Sequence, residues 1–383
     1  MIFKRKSSRI LINAANLHSG GGVQVAVSFL NELIYLGEVD SDVIVSSKVH
    51  NELKSINAKV EIFNSYNVHN ASGFSSLIDL KFINFIMSNR TVFTIFGPLY
   101  SWRKPENSIV GFAQPWIVYA DNEIYKSYGF FYKAIVRLKF FLQKYFYLKS
   151  DKLIVELDHV KKELKNLANK AEVVVVNNCI SSIYSNSKQW QSIDYVRADQ
   201  SIVLLGIVTR DYPHKNLNIL PDVAEILKHK YKFNARFLVT LTSEEWLKKD
   251  DRFRAYVDNV GSISVAQCPS FYNLLDGVIF PSLLECFSAT PIEAMIMKKP
   301  VFASDRLFVR QACEDFVNYF DPIEPDSIAK SIYKYFLKEK SQNSTFIESA
   351  YNQALKYSYP SERAKKYINI IRQNTHNERK KYI

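Results

Sequence analysis

The 383-residue sequence has little of several features that would place it in common classes of protein. Its four cysteines include no CxxC pair, which gives no support to zinc or thioredoxin-type sites and favours a reducing compartment. Glycine and proline are scarce, which excludes collagen-like and disordered chains. No apolar run reaches the ~20 residues of a membrane-spanning helix, and the basic start is followed by too polar a stretch for a signal peptide. These absences predict a globular cytoplasmic protein.

Positive charge and aromatic side chains are abundant. The net charge is +12, and aromatic residues make up 14% of the chain. A basic balance fits partners that carry negative charge, such as nucleic acid, anionic lipid or phosphorylated ligands.

Short apolar runs alternate with longer helical patterns, which predicts an α/β protein with parallel sheets. Two successive series of this kind indicate domains over residues 1–180 and 201–357. A Ser-rich linker, 179–200, separates them, and a helix with a basic tail follows at 358–383. The predicted strands are 9–13, 43–47, 91–97, 108–114, 152–156 and 172–178 in the first series, and 201–209, 235–241, 277–282 and 299–305 in the second.

Two glutamates follow the predicted strand at 277–282, in the segment PSLLECFSATPIEAM. Glu285 lies in a loop after a parallel strand, where side chains commonly face ligands. Thr290, Pro291 and Glu293 have the spacing of a helix start, with Glu293 completing a capping box. From spacing alone, Glu293 either binds a ligand or caps its own helix.

Two cations and a glycine loop follow other predicted strands. Arg210 and Lys215, in TRDYPHKN, could clamp a diphosphate or simply form a solvated basic loop. Gly20, Gly21 and Gly22 precede a helix and could admit a phosphate to the backbone, although such loops are often plain turns. The spacing is not GxGxxG, so a Rossmann dehydrogenase is poorly supported.

Taken together, these motifs resemble glycosyltransferase family 4, the retaining nucleotide-sugar enzymes of GT-B fold. The Glu-x7-Glu segment and the Arg-x4-Lys-Asn loop carry the resemblance, with the GSIS turn at 261–264 and the glycine loop in support. GPLY (97–100) and GFAQPWIVY (111–119) resemble a bacterial subgroup that builds O-antigen and related surface polysaccharides. The resemblance implies two Rossmann-like domains facing across a cleft, with the C-terminal helix crossing back to the first domain.

The resemblance also implies roles for individual residues. Arg210 and Lys215 would hold the donor's diphosphate, Glu285 would face the transferred sugar, and Glu293 would bind the ribose hydroxyls. Several further positions would contact the donor through main-chain atoms: Gly21, Gly22, Ser262, Ile263, Phe287, Ser288 and Ala289. Gln114 stands on the acceptor side, where many relatives carry a histidine. No metal and no cofactor are implied, because the leaving phosphate would itself accept the acceptor's proton.

A basic aromatic segment at 126–150 has six Lys or Arg and no acid. It predicts either a helix packed on the sheet with a solvated basic edge, or one that lies on an anionic membrane surface. RNA binding has no accompanying motif. The membrane contact is predicted at Lys133, Arg137, Lys139 and Lys144.

The expected activity is therefore transfer of a sugar from a UDP- or GDP-sugar to a growing, polyprenyl-diphosphate-linked oligosaccharide. This would take place at the inner face of the cytoplasmic membrane, without nucleic acid. Two alternatives stay open: a catalytically inactive scaffold subunit of the same fold, and a nucleotide-sugar epimerase.

Overall fold

The computed structural model describes residues 10–167, 170–357 and 359–376, which form two compact units. Unit 1 comprises the described residues up to Ala120, Gly129–Cys179 and those from Tyr359 onward. Unit 2 comprises Asp121–Tyr128 and the described residues from Ile180 to Tyr357. The basic N-terminal stretch and the predicted basic tail lie outside the described residues.

Unit 1 contains a seven-stranded parallel sheet within its described residues. The strand order is β3-β2-β1-β4-β5-β6-β7, so the direction of winding reverses between β1 and β4. Ile12 of β1 pairs with Val43 of β2 on one side and with Phe93 of β4 on the other. The strands are β1 (Ile10–Ala14), β2 (Asp42–Val45), β3 (Ser65–Val68), β4 (Thr91–Thr94), β5 (Asn107–Gly111), β6 (Lys152–Val155) and β7 (Glu172–Val175).

Both faces of this sheet are covered, which explains why its central strands are continuous apolar runs. Ile12 contributes to the core on one face, and its neighbour Leu11 to the core on the other. The covering helices up to residue 167 are α1 (Gly21–Leu36), α2 (Ser47–Ser55), α3 (Leu80–Met87), α4 (Pro115–Val118), α5 (Phe130–Leu148) and α6 (Asp158–Leu167).

Unit 2 repeats the plan with a six-stranded parallel sheet in the described chain, in the order β10-β9-β8-β11-β12-β13. Its winding reverses between β8 and β11, where Leu205 pairs with Gly277. The strands are β8 (Val203–Ile207), β9 (Ala235–Val239), β10 (Val257–Asn259), β11 (Gly277–Phe280), β12 (Val301–Ser304) and β13 (Asn318–Phe320). The helices are α7 (Leu220–His229), α8 (Ser243–Leu247), α9 (Asp251–Tyr256), α10 (Cys268–Leu274), α11 (Thr290–Ile296), α12 (Leu307–Cys313), α13 (Pro325–Phe336) and α14 (Lys340–Ala354).

The last helix, α15 (Pro360–His376), returns to unit 1 and packs on α1, as predicted. Tyr367 places its ring 5.3 Å from both Phe29 of α1 and Phe93 of β4. The Arg363 side chain is buried in the same region and donates hydrogen bonds to Ser28 and Asn178.

Three strands and one connection differ from the sequence prediction. The strands β3 (SYNV), β10 (VDN) and β13 (NYF) were not predicted, because they are short and carry polar residues. The segment predicted as a linker packs on unit 2, where Tyr195 donates to Asp258 and Arg197 forms an ion pair with Asp276. Among the described helices, none is both long and apolar enough to cross a membrane.

Candidate active site

The predicted cations and one predicted glutamate follow β8 and β11, the two strands at which the sheet of unit 2 reverses its winding. Ligands of open α/β sheets bind beyond the carboxyl ends of the strands at this point. Arg210 and Lys215 lie in the loop after β8, and Glu285 lies in the loop after β11. The backbone N–H of Leu283 donates to the carbonyl of His214 at 2.8 Å, which ties the two loops together.

Lys215 and Glu285 form a buried ion pair. The Lys215 Nζ lies 2.7 Å from Glu285 Oε1, and the two side chains are only 16% and 10% exposed. The same ammonium stands 5.7 Å from the centre of the Phe280 ring. Charges this shielded from water interact more strongly than surface pairs. The structure therefore brings together the residue predicted to hold the phosphate and the one predicted to face the sugar.

His214 adjoins this pair and stays neutral. The pKa of His214 is lowered to about 4, mostly by burial and also by the nearby Lys215, while Glu285 partly opposes the fall. The imidazole stacks against Tyr212, with ring centres 5.5 Å apart. At neutral pH the Glu285 carboxylate therefore has one cationic neighbour in this loop, Lys215.

Arg210 is oriented by Glu245. Its Nε donates to both carboxylate oxygens of Glu245, at 2.9 and 3.0 Å. Glu245 also accepts from the backbone of Asp211 and completes a capping box with Thr242 at the start of α8. Burial raises the pKa of the Glu245 carboxyl, but these hydrogen bonds outweigh it and the pKa lies below its usual value. These two hydrogen bonds use Nε, so they do not occupy the outer guanidinium nitrogens, which are donors suited to an oxyanion.

The other side of the same loop is anchored by Lys249. Its buried ammonium lies 2.7 Å from Asp211 Oδ1 and 2.8 Å from Asn218 Oδ1. Glu245 and Lys249 thus hold Arg210 and Asp211, two consecutive residues of the loop after β8.

Glu293 does not cap its helix, so that alternative is wrong. The N-cap residue of α11 is Ala289, Thr290 is already helical, and no side-chain capping hydrogen bond forms at this described helix start. Glu293 instead accepts a hydrogen bond from the Tyr272 hydroxyl at 2.9 Å. The helix starts one residue earlier than the predicted box, so Pro291 occupies its second position.

The surroundings of Glu293 are apolar and aromatic. Burial raises its pKa, and the hydroxyls of Tyr272 and Tyr184 oppose that rise. Burial likewise raises the pKa of both tyrosines well above its usual value, and the nearby carboxylate adds to the effect. These hydroxyls therefore remain protonated and able to donate to Glu293.

The remaining predicted positions of unit 2 flank these groups along the chain. Phe287, Ser288 and Ala289 are half-buried and lead directly into α11. In the predicted turn, Ser262 is exposed and Ile263 is half-buried. Gly261 before them has φ 78°, a left-handed conformation that suits glycine.

In unit 1 the glycine loop forms the N-terminus of α1. Gly20 is its N-cap with φ 73°, and Gly21 and Gly22 are the first helical residues. A Cβ at Gly21 would meet nothing within 4 Å, whereas one at Gly22 would meet Leu17 at 3.2 Å. The backbone at Gly21 is therefore accessible on the side where a Cβ would stand.

Gln114, also in unit 1, is the N-cap residue of α4. Its Nε2 donates to Gln143 of α5 at 3.1 Å, and Gln143 in turn donates to the Tyr100 hydroxyl. The amide chain positions Gln114 but offers no group that titrates near neutral pH.

A cavity of about 440 Å³ opens beside the Arg210–Lys215 loop within unit 2. Tyr212, Asn216 and Asn218 line one side, and Glu123 and Lys126 line another. Glu123 is held by an ion pair with Arg306 at 2.7 Å. The volume falls within the range typical of small-molecule sites.

Comparison with known proteins bears on this arrangement. Residues 194–353 match the family model for glycosyl transferases group 1. The matched segment lies in unit 2 and is less than half of the chain. It contains Arg210, Lys215, Glu285 and Glu293. Among curated proteins, none matches this chain significantly.

Solved structures resemble the whole chain. Sucrose-phosphate synthase from Thermosynechococcus elongatus has a TM-score of 0.69 at 14% identity, covering 96% of this chain and 98% of its own. A glycosyltransferase from Rickettsia africae has a TM-score of 0.66 at 16% identity, and the match covers 96% of this chain and 98% of that protein. HepE of Anabaena in complex with UDP and glucose has a TM-score of 0.65 at 13% identity, and the match covers 95% of this chain and 99% of that protein. The chain therefore has the GT-B fold of these proteins.

Several residues of the site were not predicted from the sequence. Glu245, Tyr272 and Lys249 carry no motif that points to Arg210, Glu293 or Asp211. The spacing Thr242-x-x-Glu245 does indicate a capping box. Its pairing with Arg210, 35 residues earlier, required the fold.

Proposed function

We propose that this protein is a retaining glycosyltransferase that uses a UDP- or GDP-sugar as donor. The observation that carries the proposal is the buried Lys215–Glu285 pair beside Arg210, at the switch point of the sheet in unit 2. Two cations and a carboxylate at that edge match a donor with a charged diphosphate and a neutral sugar. The match to glycosyl transferases group 1 and the shared fold support the same activity.

In this proposal each predicted residue has one task. Arg210 and Lys215 bind the diphosphate and stabilise the charge that develops on it, while Glu285 accepts hydrogen bonds from the transferred sugar. Glu293 accepts hydrogen bonds from the ribose hydroxyls. Main-chain atoms hold the rest of the donor, at Gly21, Gly22, Ser262, Ile263, Phe287, Ser288 and Ala289.

The reaction breaks the bond from the sugar's anomeric carbon to the phosphate oxygen and forms one from that carbon to the acceptor oxygen. The acceptor's proton passes to the departing phosphate on the same face of the sugar. Configuration is therefore retained, and the scheme uses neither a metal ion nor a cofactor. The positive charge that stabilises the leaving group comes from Arg210 and Lys215.

For the acceptor we propose a hydroxyl of a polyprenyl-diphosphate-linked oligosaccharide in bacterial surface polysaccharide synthesis, at the cytoplasmic face of the membrane. Support comes from the sequence resemblance of residues 97–100 and 111–119 to that subgroup and from the basic helix α5. Gln114 would contribute a hydrogen bond on the acceptor side.

The test combines donor binding with transfer. A thermal-shift screen of UDP, GDP, ADP and their common sugars should give a rise in unfolding temperature with one nucleotide series. With the matching sugar, Lys215→Ala and Glu285→Ala should each reduce transfer by at least about 10²-fold. The control is Lys230→Ala, which removes an exposed pair with Asp326 of the same 2.7 Å length and should leave transfer unchanged.

Other outcomes would favour the alternatives. Nucleotide binding without transfer to any acceptor would support an inactive scaffold subunit. Release of an epimerised sugar would support an epimerase. Near-normal transfer by folded Lys215→Ala or Glu285→Ala would contradict the assignment of the site.

A further inference from the structure

Helix α5 carries a stripe of large apolar side chains that face solvent. Phe131, Ile135, Leu138, Leu142 and Tyr145 follow each other at intervals of three and four residues, so they share one face. Phe131 is 82% exposed, Ile135 65% and Leu138 58%. A soluble helix normally turns such a stripe towards the core. We call this set the outer stripe.

Two exposed basic side chains, Arg137 and Lys139, flank the outer stripe. At 100° per residue, Lys139 lies about 80° from the centre of the stripe on one side, and Arg137 lies about 120° from it on the other. Lys133 and Lys144 lie about 160° and 140° away, on the half-buried side of the helix, so the predicted membrane contact is not supported at these two positions. The 19 residues of α5 include no Asp or Glu. An exposed apolar face with cationic borders is the pattern of a helix that lies in the interface of an anionic bilayer.

The opposite face of α5 fixes the helix to unit 1. Phe146 and Tyr147 are buried, and the Tyr147 ring lies 4.7 Å from Phe112 of the loop after β5. Phe140 stacks on Trp116 of α4, with ring centres 5.3 Å apart. The outer stripe is thus presented by an anchored helix, and its exposure does not result from a detached segment.

Trp102 extends the apolar surface beyond the helix. It is 66% exposed, and its ring lies 5.5 Å from Phe146. Lys149 reaches the carbonyls of Ser101 and Trp102 and links this loop to the end of α5. Tryptophan is enriched at the membrane–water interface, where it has an apolar body and a polar edge.

We propose that the outer stripe and Trp102 insert into the interface of an anionic bilayer, with Arg137 and Lys139 at the headgroups. The positive charge and the apolar stripe of this surface together indicate that its partner is an anionic bilayer. Nucleic acid would match the cations but not the stripe, and a second copy of this chain would bring two like-charged borders together. Membrane binding itself does not depend on the proposed function. Its benefit does, because binding to the bilayer would bring the protein to a lipid-linked acceptor.

The experiment measures binding to vesicles, which does not require sugar transfer. The stripe variant Phe131→Ser/Ile135→Ser/Leu138→Ser should bind phosphatidylcholine–phosphatidylglycerol vesicles at least about tenfold more weakly in co-sedimentation. The control variant Val196→Ser/Leu337→Ser/Leu355→Ser removes exposed apolar side chains from unit 2 and should bind like the parent.

A charge variant separates the electrostatic contribution to vesicle binding from the contribution of the apolar stripe. Arg137→Glu/Lys139→Glu should weaken binding to anionic vesicles at least about tenfold, because each cation contributes roughly fivefold near such a surface. High salt should weaken the parent in the same way. Vesicles of phosphatidylcholine alone should bind the parent weakly and show little difference between the parent and the charge variant.

The parent protein provides a readout that does not depend on the folding of these variants. Lipids brominated near the headgroup should quench its tryptophan fluorescence, and Trp102→Phe should remove most of that quenching. Binding by the stripe variant equal to the parent, or quenching unchanged in Trp102→Phe, would overturn the proposal. So would a dimer of the parent in light scattering that the stripe variant abolishes, without any vesicle binding.

Discussion

At the scale of single residues, His214 shows how the loop after β8 protects its ion pair. A protonated imidazole beside Lys215 would compete for Glu285 and weaken the pair. Burial and the nearby Lys215 lower the pKa of His214 to about 4, so the ring carries no charge at neutral pH. The imidazole therefore does not compete with Lys215 for the Glu285 carboxylate.

This neutrality predicts a pH-dependent stability. The folded pKa of His214 lies below the unfolded value of about 6.5, so the unfolded chain binds more protons between those values. The contribution of His214 to stability is therefore lost as the pH falls through this window and is unaffected above it. From pH 7 to pH 5 the loss should be about 2 kcal/mol. Urea unfolding of the parent and of His214→Gln at both pH values measures it, since the variant lacks the titrating group. Parallel pH dependences would contradict the prediction.

Glu293 is a second residue whose surroundings affect its ionisation. Without a capping hydrogen bond, its carboxylate is held by Tyr272 of α10. Its raised pKa shows that desolvation outweighs those hydroxyls, so a further set of donors would stabilise its charge. Ribose hydroxyls would supply such donors.

At the scale of elements, α8 supports Arg210, although none of the residues of this helix was predicted to belong to the site. Its capping box uses the Glu245 carboxylate, and the same carboxylate orients Arg210. One side chain thus links the start of a helix to the loop after β8.

Glu245→Gln should weaken nucleotide-sugar binding about tenfold, because the amide keeps the cap but loses the charged contact with Arg210. The unfolding temperature should change little. Glu244→Gln is the matched control, since it removes the same charge from the same turn at an exposed position. Calorimetric titration of the donor nucleotide measures both variants. Equal affinities in the two variants would rule out a positioning role for Glu245.

The packing of helix α15 on unit 1 includes hydrogen bonds from a buried guanidinium. Arg363 is 2% exposed and donates to Ser28 of α1 and to Asn178. Arg363→Met should lower the free energy of unfolding by about 3 kcal/mol, because it removes two hydrogen bonds of a buried side chain and leaves their half-buried acceptors without a donor. Lys366→Met, on the exposed face of the same helix, should change it by less than about 0.5 kcal/mol. Chemical denaturation distinguishes the two, and similar losses would contradict the docking role.

At the scale of the whole molecule, the sequence predicts best which residues lie at the carboxyl ends of strands. Arg210, Lys215 and Glu285 could be grouped in advance, because the carboxyl ends of neighbouring parallel strands meet at one edge. The start of α11 could not be located, since Thr290 and Ala289 both precede a proline that fits early helical positions. The partners Glu245 and Tyr272 were missed because tertiary packing, and no local pattern, brings them to Arg210 and Glu293.

The return of α15 to unit 1 has a consequence for folding during synthesis. The core around Phe29 and Phe93 includes the Tyr367 ring, so it is incomplete until residue 367 has been synthesised. The described strands and helices of unit 2 are all synthesised earlier, by Ala354. Of the two units, the one whose synthesis begins first is thus the one that completes its core last.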